Sequence, residues 1–219
     1  MEHQESFMDF HGIQIYHQAW LPDGAPRTVV LLVHGIAEHS GRYGNLVEHL
    51  VPLGCAVYTL DLMGHGRSEG ARAFVRRFRE YSALVHAYLA QVRAEHPGLP
   101  FFLFGHSMGA VIAACYVLDY SPSLAGVILS GTSTEMPDDV TPLTLALGKV
   151  LSAVVPRMPL KTLESATVSR DPAVVESYRN DPLVYTGAIP ARTGIELLQA
   201  QQRIAAHAPE IALPVLMVH

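Results

Sequence analysis

The feature that most constrains this chain is a five-residue run, Gly105-His106-Ser107-Met108-Gly109, set between a β-rich apolar segment and a helical one. Residues 101–104 read as a buried strand and 107–120 as a helix, so the run is the G-x-S-x-G turn that presents a nucleophilic serine. The spacing has a steric cause. The strand-to-helix turn is so tight that side chains two residues either side of the serine would collide, and glycine at 105 and 109 removes those collisions. The strain lifts the Ser107 hydroxyl clear at the carboxyl end of the sheet, beside helix N–H groups that favour developing negative charge. A glycine-rich turn with an idle serine uses the same letters. Chance, however, supplies this spacing only about 0.1 times in a chain of this length, before the flanking strand and helix are required.

The rest of the first 130 residues fits a mostly parallel sheet with crossover helices. Residues 7–10 and 13–20 pair as a hairpin turning at His11-Gly12. Residues 28–34 (TVVLLVH) form a continuous β-branched run, as expected of a strand buried on both faces. A helix follows over 43–53, a strand over 56–60 and a glycine-rich loop over 61–70. Phe78, Tyr81, Leu84, Val85, Tyr88, Leu89 and Val92 keep helical spacing to about residue 95, and a further strand spans 126–130. His34-Gly35 ends the TVVLLV strand. In a sheet of this kind an N–H from that loop joins the N–H after the nucleophile as an oxyanion hole, which assigns the donors to Ile36 and Met108.

From 132 to 190 the texture changes, and seven of the fifteen prolines fall there. The chain divides into a core part (1–131), an inserted cap (132–190) and a resumed core (191–219), with a helix over 195–206 and a doubly buried strand over 214–218. Within the cap, 143–155 is an apolar helix with Lys149 as its one charge. It must face the sheet, an acyl chain or lipid, and Leu147, Leu151, Val154 and Tyr178 are the substrate-contacting candidates.

Composition narrows the function. Fifteen basic against twenty acidic residues give a net charge of −5, with no footprint for nucleic acid and no basic block for an anionic membrane. Charged residues are only 16% and mean hydropathy is +0.22, which excludes a disordered chain. Cys55 and Cys115 lie in apolar segments and read as core residues, not a disulfide framework. The N-terminus shows no secretory signal and no stretch approaches a membrane span. A cytoplasmic protein, peripheral at membranes through its cap, is expected. The twelve histidines form no metal-ligand pattern, and neither metal nor cofactor is called for. Glu38 and Arg42 are spaced as an ion pair at a helix start, or as a polar rim beside the oxyanion loop.

Four collinear segments, HGIAEHSGRY (34–43), DLMGHGRSEG (61–70), GHSMG (105–109) and SRDPAVVESYRNDPL (169–183), resemble the monoacylglycerol lipase and lysophospholipase branch of the serine α/β hydrolases. The resemblance implies the α/β-hydrolase fold, with a helical cap over the site. It implies an acyl-enzyme on Ser107 and an ester with one long acyl chain as substrate. The Val174 position is more polar in relatives, which leaves the alcohol half open. In the family the triad acid follows the strand that here is 214–218, and the base comes later. Both are therefore expected beyond residue 219, together with the last strand and helices. Two alternatives stand beside a lipase: an esterase or lysophospholipase for another alcohol, and a non-catalytic ligand-binding relative.

Overall fold

The computed structural model describes residues 1–131, 142–162 and 168–219. Nine strands and six α-helices are described. Strands β1 (Glu2–Phe10) and β2 (Ile13–Leu21) form the expected hairpin. His11 and Gly12 both have positive φ (54° and 80°), the two-residue turn whose twist matches its strands. Then come β3 (Thr28–Val33), α1 (Gly44–Leu50), β4 (Cys55–Leu60), α2 (Arg79–Glu95), β5 (Phe101–His106), α3 (Met108–Tyr120) and β6 (Gly126–Ser130). The chain ends with α6 (Ala191–His207) and β9 (Val215–Val218). The seven-stranded sheet runs β1-β2-β4-β3-β5-β6-β9, antiparallel at β1–β2 and β2–β4 and parallel elsewhere.

Two-residue periodicity sends alternate side chains of β3 to opposite faces. Val29, Leu31 and Val33 enter the larger core beneath α2, α3 and α6, while Val30 packs with Val57, Val47 and Val51 on the α1 side. The α2 stripe from Tyr81 to Val92 is buried as its spacing predicts. Helix α3 is buried on nearly every side from Met108 to Val117, so its sequence shows almost no amphipathic contrast. Cys55 and Cys115 are free and buried, and burial pushes the Cys115 thiol up to about 12.

Between β6 and α6 lie α4 (Pro142–Val154), β7 (Pro159–Thr162), α5 (Pro172–Asn180) and β8 (Ala188–Pro190), with β7 and β8 paired antiparallel. Of the expected cap, 132–141 and 163–167 lie outside the described residues. Helix α5 starts on a signal that the residues carry openly. Asp171 caps the helix by accepting the Ala173 N–H at 2.9 Å, and Pro172 fills the first position.

The 214–218 segment forms β9, paired in parallel with β6, and Val215, Leu216, Met217 and Val218 are 44–66% exposed over residues 1–219.

Candidate active site

The elbow is built as its glycines require. Ser107 sits at φ 52°, ψ −118°, a conformation that non-glycine residues adopt at a cost of about 1–3 kcal/mol. A Cβ on Gly105 would stand 2.3 Å from the Gly109 carbonyl oxygen, and one on Gly109 would stand 2.1 Å from that of Val33. Neither gap admits a methyl group. The Ser107 N–H donates to the Ser130 carbonyl at 2.8 Å, which anchors the turn to β6. Met108, buried, is the first residue of α3, so its N–H belongs to the unpaired set at the helix start.

The loop after β3 presses against this turn. A Cβ on Gly35 would lie 3.2 Å from the Ser107 Cβ, and Ile36 follows in the same loop. Its shape is fixed by one carboxylate. Glu38 accepts the Gly35 N–H (2.7 Å), the Tyr43 hydroxyl (2.7 Å) and Arg42 Nε (3.3 Å). The expected Glu38–Arg42 pair therefore exists, and it also clamps the oxyanion loop. Burial first, and then the Glu38 charge, pushes the Tyr43 hydroxyl well above its ordinary range, so it stays a neutral donor. A second carboxylate holds the far side. Buried Asp61 accepts the Ser40 N–H and the Arg67 N–H, both at 2.8 Å. Gly66 is needed there, because a Cβ would fall 2.0 Å from Asp61 Oδ2.

The cap is tied to the same loop. Tyr185 N–H donates to the Ala37 carbonyl at 2.8 Å. His39 Nδ1 accepts the Gly41 N–H, which leaves Nε2 to donate to Asp181 at 2.8 Å. Burial would raise the Asp181 carboxyl, but the His39 hydrogen bond and the Leu183 N–H hold it below its ordinary value. Tyr178 is buried, with the Arg42 guanidinium 4.6 Å over its ring. Of the four cap candidates, Tyr178 is thus the one brought against the oxyanion loop. Leu151 is half-buried on α4, whereas Leu147 and Val154 are 57% and 73% exposed. Leu147 and Val154 share an outward stripe with Val150, while Gly148 turns toward Ile195 of α6.

The histidines nearest the turn are otherwise engaged. His34 is fully buried, accepts the Leu62 N–H through Nε2 (2.9 Å) and reaches the Gly35 carbonyl through Nδ1 (2.7 Å). Burial pushes its pKa down despite the Asp61 charge. His65 packs beside it, ring centres 5.3 Å apart, and burial drives its pKa to about 3. His106 Nδ1 meets Ser130 Oγ at 3.2 Å, and its ring meets the Tyr43 ring edge-on. Among the described residues no hydrogen bond joins a histidine to Ser107 Oγ. Nor do three His, Cys, Asp or Glu side chains gather there as a metal cluster. Sequence reasoning missed Asp61, the triple role of Glu38 and the His39–Asp181 tie. The acidic letters were visible, but which N–H groups they satisfy depends on segments far apart in the chain.

The comparisons with known proteins agree with this geometry. The family model described as serine aminopeptidase, S33, matches residues 24–219. A monoacylglycerol lipase of Mycolicibacterium smegmatis is 37% identical over 216 residues, covering 99% of this chain and 77% of that protein. The human monoglyceride lipase is 34% identical over 94% of this chain and 69% of its own length. The crystal structure of a Paleococcus ferrophilus monoacylglycerol lipase superposes with a TM-score of 0.81 at 32% identity, covering 93% of this chain and 77% of that one. Strained serine, flanking glycines, clamped loop and relatives at this identity lead to one conclusion: the chain belongs to the monoacylglycerol lipase family of α/β hydrolases, a family of carboxylic ester hydrolases.

Proposed function

We propose that this protein hydrolyses monoacylglycerol-like lipid esters through an acyl-enzyme on Ser107. The observation that carries the reading is the Ser107 backbone itself, held at φ 52° between two glycines that admit no side chain. A turn so costly makes sense where an exposed oxygen must be presented. In the reaction, Ser107 Oγ attacks the ester carbonyl carbon as its proton passes to a general base. The Ile36 and Met108 N–H groups receive the charge on the carbonyl oxygen. The alcohol leaves with the proton, and water then cleaves the acyl-enzyme. The base and its acid are proposed to lie outside residues 1–219, since His34, His39, His65 and His106 are bonded elsewhere.

The acyl preference follows from α4. Leu147, Val150 and Val154 leave a stripe open to lipid, through which the cap is proposed to touch a membrane surface transiently. Each methylene taken out of water is worth about 0.8 kcal/mol, so a long chain dominates recognition over a small alcohol. The named relatives act on monoglycerides, which is the substrate class proposed here.

The test uses the protein with its complete catalytic machinery. A fluorophosphonate is expected to label wild type and not Ser107→Ala, and equal labelling of both would defeat the assignment. The ratio kcat/KM is expected to rise from acetate to long-chain esters. Val154→Asp should flatten that rise and spare short esters. An acetate preference unmoved by this change would favour an esterase.

A further inference from the structure

Away from the elbow, an open groove of about 990 Å³ is walled by the start of α2, the second half of α3, the last turn of α4 and one face of α6. None of Ser107, Ile36 and Met108 lines it. Its charge is unlike that of the protein as a whole. Arg76, Arg77, Arg79, Arg192 and Arg203 line it, five of the fifteen basic residues of a chain whose net charge is −5. Two of the three carboxylates in its walls are already committed. Asp119 pairs with Arg203 at 2.6 Å, and Glu196 sits 3.6 Å from Arg192 while accepting the Phe78 N–H at 2.8 Å. Arg76, Arg77 and Arg79 are exposed and form no ion pair among the described residues.

The groove also adjoins the apolar cap. Ala153 and Pro156 form part of its wall, and the Arg157 guanidinium lies 5.3 Å over the ring of Phe74, another lining residue. On the same segment, Val150, Val154, Val155 and Met158 are 37–73% exposed. Guanidiniums without an ion pair among the described residues, beside an exposed apolar stripe, offer the two features that a bilayer surface engages. Guanidiniums pair with phosphate oxygens, and the stripe enters the acyl boundary.

We infer that this groove docks the protein on anionic phospholipid, with Arg76, Arg77 and Arg79 reading headgroup phosphates while α4 seats in the layer beneath. The inference rests on the membrane contact proposed for α4 and adds the headgroup class that it meets, whichever ester Ser107 cleaves. Binding, not turnover, tests it, so its failure and that of the proposed reaction are distinguishable.

The probes are phosphatidylcholine vesicles with and without about one third phosphatidylglycerol, at about 0.05 M salt. Each surface arginine is worth about fivefold in partitioning onto an anionic bilayer, so three give roughly a hundredfold preference for the anionic vesicles. That preference should collapse at about 0.5 M salt, where charges are screened within a few ångströms. It should also vanish in Arg76→Gln/Arg77→Gln/Arg79→Gln, while the residual binding to neutral vesicles that α4 provides stays unchanged. The three positions are exposed, and a melting curve matching wild type verifies folding. The double variant Arg76→Gln/Arg77→Gln should show a loss of about twenty-fivefold on the same scale. Equal partitioning of wild type onto both vesicles, or a folded triple variant that keeps the preference, would overturn the inference. So would salt-sensitive binding to polyglutamate without any gain on anionic vesicles, which would assign the groove to an acidic protein partner.

Discussion

The elbow and the cap are held together by different forces. Around Ser107, backbone lies against backbone: the spaces beside Gly105 and Gly109 are closed by carbonyl oxygens of Gly109 and Val33. In the cap, the matching space beside Gly148 is closed by a methyl of Ile195, the far end of a flexible side chain. Backbone cannot step aside, and a side chain can. The first region therefore tolerates almost no change of letter, while the second is free to vary in composition as long as it stays apolar. The few rigid ties between the two, Tyr185 to Ala37 and Asp181 to His39, run from the cap to the oxyanion loop and not to the elbow itself.

The sharpest way to break this comparison is a single methyl group at the elbow. Gly109→Ala should cost about 3 kcal/mol or more, because neither Val33 nor α3 can yield. Urea denaturation would read the loss as a lower midpoint. A variant as stable as wild type would show that the turn is looser than its geometry implies.

A smaller effect comes from acid, and it acts on the elbow side. His65 has its folded pKa depressed to about 3 from an ordinary 6.5, so the unfolded chain takes up a proton that the folded chain refuses. Its contribution is complete above pH 6.5 and declines as pH falls below that value, by about 1 kcal/mol from pH 6.5 to 5.5. His34, depressed in the same direction by burial, steepens the fall. Melting temperature measured against pH in wild type and in His65→Phe should differ in slope, the variant being flatter. Identical slopes would mean that His65 is not kept neutral by the core.

The smallest effect should be Gly148→Ala in the cap. The added methyl crowds Ile195, while helix propensity improves by about 1 kcal/mol, and the two nearly cancel. A net change within about 0.5 kcal/mol would sharpen the contrast with Gly109. A loss as large as that at Gly109 would put the cap in the same mechanical class as the elbow.

Much of the site was legible because its constraints are local. Two glycines flanking a serine, a strand before and a helix after, specify a turn whose sterics need no distant partner, and the structure forms it. The His11-Gly12 hairpin and the α2 stripe are local in the same sense. Helix α5 was missed although Asp171-Pro172 marks its start, because its letters lie in a segment where apolar periodicity is weak.

By itself, then, the sequence determined the serine, its strained turn, the alternation of strands and helices, and the family they belong to. The tertiary structure alone decided the rest, for reasons of contact. It turned Leu147 and Val154 outward, since an all-round apolar helix does not announce which face meets α6. It set Glu38 under three donors, and it gathered Arg76, Arg77, Arg79, Arg192 and Arg203 into one groove on an acidic protein. Net charge is a sum over the chain, whereas binding responds to local charge, and only folding brings residues 76 and 203 to the walls of one groove.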